Sequence, residues 1–157
     1  MVHNFVDTRM LDAALAYSHE AAEAPDIFIA ARIDEAKGVG AFLAAISGRL
    51  PVGRWVTVAG DGPSLAALRE SFAVEWVRFL GWTPYRETVR MTSQAQVVIV
   101  PSLWEEPCGT TILEALALGK PVLALARGGT PELKAYETYP GQLRLFEDMA
   151  SLAAALA

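Results

Sequence analysis

The run Val97-Val98-Ile99-Val100 constrains this chain more than any other feature. Four consecutive β-formers without polar alternation leave no face for water, so the strand is covered on both sides. Strands of that kind belong to parallel sheets, whose members are joined by crossover segments. The remaining sequence supplies the alternation this requires. Ile27-Phe28-Ile29-Ala30-Ala31 is a short apolar run, followed by charges and then by Val39, Phe42, Leu43 and Ile46 at helical spacing, which predicts a strand and a helix over about 38–47. Trp55 to Ala59, the turn Gly60-Asp61-Gly62-Pro63 and a helix carrying Leu65, Leu68 and Phe72 repeat the pattern. Glu75 to Leu80 reads as a third strand and Pro84 to about Ser93 as a short helix. A loop, a helix at about 111–118, the stop Gly119-Lys120-Pro121 and the strand Val122 to Leu125 follow Val100. Leu143 to Phe146 closes the series as a last strand, before a helical stripe of Met149, Leu152, Ala153 and Leu156. The Ala-rich segments 13–24 and 150–157 read as helices, since Ala is the best helix former.

This order predicts an α/β fold, a doubly wound, mostly parallel Rossmann-like sheet with helices on both faces. Ligands of such sheets bind beyond the carboxyl ends of the strands. The length of 157 residues fits a single domain, 1–157. A formal charge of -5 argues against broad nucleic-acid or anionic-membrane binding, because those partners attract surfaces rich in Lys and Arg. Any phosphate site is therefore local. Mean hydropathy is +0.29, yet no uncharged run reaches the length of a membrane-spanning helix, so no transmembrane segment is expected. Cys108 is the one cysteine, and His3 and His19 lie far from it without metal-ligand spacing, so neither a disulfide nor a metal site is expected. The N-terminus lacks the pattern of a signal peptide, and a reducing cytoplasm is the expected location.

Chemistry can reside in few places. Arg32 and Lys37 bracket the loop after the first strand, and Lys37 falls where a helix begins, a position disfavoured for a cation unless an anion is held nearby. A pyrophosphate would resolve that conflict; two solvated charges paired with Asp34 and Glu35 would explain it as well. Glu106 and Glu114 are separated by seven residues in the segment after Val100, and ionised carboxylates there could accept hydrogen bonds from sugar or ribose hydroxyls. Gly109, Thr110 and Thr111 would offer backbone N–H groups at a helix N-terminus, a seat for phosphate. Equally, Thr111 to Glu114 fits a capping box. Glu105 reads as a solvated loop charge and Cys108 as a small buried filler. Gly128-Gly129-Thr130-Pro131-Glu132 predicts a tight loop into a helix, either facing a ligand or forming an ordinary turn. Gly60 to Pro63 and Gly81-Trp82 are turns at the same strand ends.

Several familiar sites are missing. Gly38-Val39-Gly40 is followed by Leu43 where a dinucleotide fingerprint wants Gly or Ala, and no P-loop, nucleophile elbow or metal-binding His pair occurs.

Together these blocks resemble the C-terminal, nucleotide-sugar-binding domain of the retaining GT-B glycosyltransferases of family four, group one. His3 to Asp7 resembles the linker entering that domain, so 1–8 is read as linker, with Phe5 where the family shows Gly. Ala31 to Gly38 is similar to its phosphate block, Gly60 to Pro63 and Phe79 to Trp82 to its next two strand-end turns, and Pro101 to Val122 to its E-x7-E signature, with Cys108 in place of Phe. Gly128 to Glu132 completes the series, and the segment Ala135 to Leu145 departs from the pattern.

The resemblance implies one half of a GT-B fold and a metal-independent transfer of a sugar, with retention, from a nucleotide diphosphate sugar to an acceptor. No cofactor beyond that donor substrate is expected. Arg32, Lys37 and Glu106 would be the catalytic group, the cations holding the diphosphate and Glu106 the sugar hydroxyls. Glu114 would bind the ribose, Gly81 and Trp82 the base, and Gly109 and Thr110 the phosphate or sugar. Such an enzyme has an N-terminal acceptor domain that these residues do not supply, so the chain alone is expected to be inactive. A non-catalytic nucleotide-binding or docking module, or a sugar-nucleotide epimerase-like domain, are the alternatives.

Overall fold

The computed structural model describes residues 8–16 and 24–156. Six strands, β1 (Ile27–Ala30), β2 (Val56–Ala59), β3 (Val77–Gly81), β4 (Val97–Val100), β5 (Val122–Leu125) and β6 (Leu143–Phe146), form one sheet in the order β3-β2-β1-β4-β5-β6. Every pairing is parallel. The chain thus builds outward from β1 to one edge, crosses back, and builds from β4 to the other.

Side-chain alternation along the buried strands creates two cores. Ile27, Ile29, Val56, Val58, Val97, Ile99, Leu123 and Leu125 share one face with Phe42, Leu43, Leu65 and Leu152. These last four come from α2 (Val39–Ile46), α3 (Leu65–Ser71) and α6 (Met149–Ala154). Phe28, Val98, Val122 and Ala124 face the other way, against Ile112, Ala115 and Leu116 of α5 (Thr110–Ala117). Helix α4 (Tyr85–Gln94) lies beside α5, with α1 (Thr8–Ala16) packed on it through Leu11, Val89 and Leu118. The Val97–Val100 run is therefore covered on both sides, as its composition requires.

Element boundaries moved where local chemistry outweighed periodicity. Helix α1 runs from Thr8 to Ala16, so it overlaps the helix expected over 13–24 only at 13–16 and takes Thr8 from the segment read as linker, while 1–7 and 17–23 lie outside the described residues, as do His3 and His19. Glu35–Lys37 form a 3-10 turn before α2, capped by the Asp34 carboxylate accepting from the Lys37 N–H at 3.0 Å. The segment from Thr130 is a 3-10 helix, Thr130–Tyr136, rather than an α-helix. Helix α6 stops at Ala154, with Asp148 capping its start through Ser151 N–H at 2.7 Å. No helix among the described residues is long and apolar enough to cross a membrane.

Candidate functional site

The chain reverses its direction of sheet growth between β1 and β4, and at such a point the two following loops diverge to opposite faces and leave a crevice at the carboxyl edge. A cavity of about 170 Å³ occupies that crevice, lined by Ala31, Arg32, Lys37, Ser102, Glu106 and the start of α5. Close packing of backbone shapes it. Gly38 has φ +68°, and a Cβ there would lie 2.1 Å from the Pro101 carbonyl, so the loops after β1 and β4 touch only because this residue has no side chain.

Arg32, Lys37 and Glu106 are brought together. Arg32 is well exposed and its Nε lies 3.2 Å from the Asp34 carboxylate, the pairing the sequence offered. Lys37 behaves differently: its ammonium pairs with Glu106 Oε1, which also accepts from Ser102 Oγ at 2.8 Å. The Lys37 and Glu106 side chains are 29 % and 13 % exposed, so this pair is shielded where the Arg32 pair is not. The charge at the start of the helix is thus balanced within the protein, by the same carboxylate expected to meet a sugar.

The loop carrying Glu106 is held from β5. Gly128 N–H donates to the Glu105 carboxylate at 2.5 Å, and Gly129 N–H to the Glu106 carbonyl at 2.8 Å. Glu105 is an exposed loop charge, as its sequence position reads, and its carboxylate serves in addition as a tether. Gly128 has φ +54°, and a Cβ there would lie 2.5 Å from the Glu106 carbonyl oxygen, so the glycine pair is a packing device rather than an ordinary turn.

Gly109 and Thr110 line the cavity beside Thr111, and no side chain caps α5. The capping box that Thr111 and Glu114 offered as one reading does not form: the cap position falls two residues earlier, at Gly109, and the Glu114 carboxylate accepts instead from the Tyr85 hydroxyl at 2.8 Å. Burial pushes the Glu114 carboxyl above the ordinary carboxylate range, and the Tyr85 hydrogen bond opposes that shift. Cys108 is half-buried and lines the cavity, so it is more than a core filler.

Glu114, Gly81 and Trp82 lie outside the cavity wall. Gly81 ends β3 on the same carboxyl edge, where its carbonyl accepts from Gly60 N–H at 2.8 Å, and Trp82 is 74 % exposed. Three residues after Trp82, the Tyr85 hydroxyl donates to Glu114, which links the segment following β3 to α5. Sequence reasoning assigned no role to Ser102, Tyr85 or the Glu105 tether. Ser102 follows directly after Pro101 at the end of β4, a position that could have marked it; nothing local marks Tyr85 as the partner of Glu114.

Chemically, the cavity presents two cations, one carboxylate and an uncapped helix start, a set suited to an anion bearing hydroxyl groups. Among the described residues no cluster of three or more His, Cys, Asp or Glu is placed to hold a metal ion. A larger groove of about 500 Å³, lined by Leu50, Pro51, Trp55 and Trp76, lies at the amino ends of β2 and β3, away from the crevice.

Residues 24–157 match the family described as glycosyl transferases group 1. A glycogen synthase of Paramagnetospirillum magneticum is 32 % identical over 123 residues, which are 76 % of this chain and 24 % of that protein. Among solved structures, Anabaena HepE in complex with UDP and glucose superposes with a TM-score of 0.67 at 21 % identity, over 97 % of this chain and 42 % of that one. The sucrose-phosphate synthase of Thermosynechococcus elongatus also gives 0.67, at 27 % identity, over 92 % and 38 %. The chain thus spans about a quarter of its curated relative and less than half of these solved neighbours.

Proposed function

The chain belongs to the group 1 glycosyl transferases, and from that premise we propose that it is the C-terminal, donor-binding half of a retaining, cytoplasmic enzyme that transfers a sugar from a nucleotide diphosphate sugar. The single observation that carries this reading is the convergence of Arg32, Lys37, Glu106 and the uncapped start of α5 on one cavity at the β1–β4 switch point. The UDP and glucose held by HepE, whose fold this chain shares, add support.

In this reading the donor diphosphate lies against Arg32, Lys37 and the N–H groups around Gly109 and Thr110. Fixed cations there stabilise the charge that develops on the departing nucleoside diphosphate, the largest service such a site renders, and do so without a metal. Arg32 exchanges a weak, solvent-screened partner for the phosphate, which costs little. Glu106 accepts from the sugar hydroxyls and Glu114 from the ribose. The cavity is smaller than the roughly 300–1,000 Å³ that encloses a whole ligand, so the nucleoside extends along the edge toward Trp82 and Glu114. The acceptor is held by an N-terminal domain facing this edge, and the chain alone transfers little or nothing.

Thermal unfolding with uridine, guanosine and adenosine diphosphates and their glucose esters tests the reading. A bound donor adds RT ln(1 + [L]/Kd), about 2.7 kcal/mol at a hundredfold excess over Kd. No shift with any member would leave a docking module as the better description.

A further inference from the structure

Ser102 is 4 % exposed, stands two residues beyond the end of β4, and spends its hydroxyl on a carboxylate four residues away. Its own position is fixed: Leu103 and Trp104 N–H both donate to the Ala36 carbonyl, at 2.8 and 3.1 Å, pinning the chain after Ser102 to the turn that carries Lys37. Glu106 is pinned through its backbone by Gly129. What the backbone does not set is the rotation of the Glu106 carboxylate. Lys37 and Ser102 both donate to the same oxygen, Oε1, and so fix that rotation together.

The two donors are not equivalent. Lys37 is a point charge that a diphosphate competes for, whereas a neutral hydroxyl has no comparable attraction to leave Glu106. We propose that Ser102 is a positioning residue that holds the Glu106 carboxylate in its sugar-accepting orientation when the phosphate draws Lys37 away. The inference rests on the donor-binding reading above and adds to it the group that keeps the sugar contact intact during binding.

The measurement is the ratio of dissociation constants for a nucleoside diphosphate and its glucose ester, using the best-bound pair of the panel, in the unaltered chain, Ser102→Ala, Glu106→Ala and the double variant. Ser102→Ala should shift that ratio against the glucose ester by about tenfold, the scale of one hydrogen bond to a charged group, with little change for the diphosphate itself. In the Glu106→Ala background the same substitution should shift the ratio no further, because its effect passes through Glu106. A ratio unchanged by Ser102→Ala, an equal loss for both ligands, or a full shift that persists without Glu106 would each overturn the role. Absence of nucleotide binding by the unaltered chain is distinguishable from these and overturns the donor-binding reading together with this inference.

Discussion

The Tyr85 hydroxyl donates to the Glu114 carboxylate at 2.8 Å, tying the start of α4 to the second turn of α5. This one bond offsets part of the cost of holding a carboxylate where burial disfavours its charge.

That cost has a sign. The folded pKa of Glu114 lies above the unfolded one, so the folded chain holds the proton more tightly and the ionised form is destabilising. The penalty is absent below the unfolded value, grows as pH rises through the window up to the folded value, and is complete above it. Glu114→Gln should therefore raise Tm near pH 7, with the gain shrinking toward about pH 4, while weakening nucleoside diphosphate binding by about 1.5–3 kcal/mol. Melting curves across pH and titration calorimetry check both halves; a lower Tm at neutral pH would contradict the account.

Arg32 and Lys37 should separate in their stability effects. Either alanine variant weakens diphosphate binding by about 1–3 kcal/mol. Arg32→Ala should leave Tm nearly unchanged, because its own guanidinium is well exposed and water screens the pair it makes with Asp34. Lys37→Ala should lower it, because Glu106 is left shielded with one donor fewer. Equal Tm values with unchanged affinity in both variants would remove the phosphate role.

Gly128→Ala should cost about 1–3 kcal/mol, since its new Cβ meets the backbone of Glu105 and Glu106 and the residue must also hold φ +54°. Gly119→Ala is the control: φ is +71°, but nothing lies within 4 Å of the added Cβ. Gly128→Ala should also weaken the glucose ester by displacing Glu106, whereas Gly119→Ala should not. Indistinguishable urea midpoints and affinities for the two variants would refute the packing role.

Diphosphate binding through Arg32 and Lys37 should be insensitive to EDTA and gain nothing from added Mg²⁺. Calorimetry in the two buffers decides it, and affinity that collapses in EDTA would point to a cation bridging the phosphates.

The sequence alone determined the sheet. Unbroken apolar runs at Ile27, Val97 and Val122, and the run from Val56 interrupted only by Thr57, demand cover on both faces, and helical spacing between them supplies it, so strand type and parallel direction are local consequences of composition. Arg32, Lys37, Glu106, Gly109 and Thr110 were legible too, because each sits one loop beyond a strand end and parallel topology gathers those ends on one edge. What only the tertiary structure decided is partnership. Lys37 and Glu106 are 69 residues apart, Tyr85 and Glu114 are 29, and Gly128 meets Glu105 across 23. A capping box is a short-range option that Glu114 left for a hydroxyl brought beside it by helix packing, and no local pattern records which long-range donor arrives at 2.8 Å. Hydrogen bonds select by distance and direction, and those are fixed only once the strands are in register and the loops between them have closed.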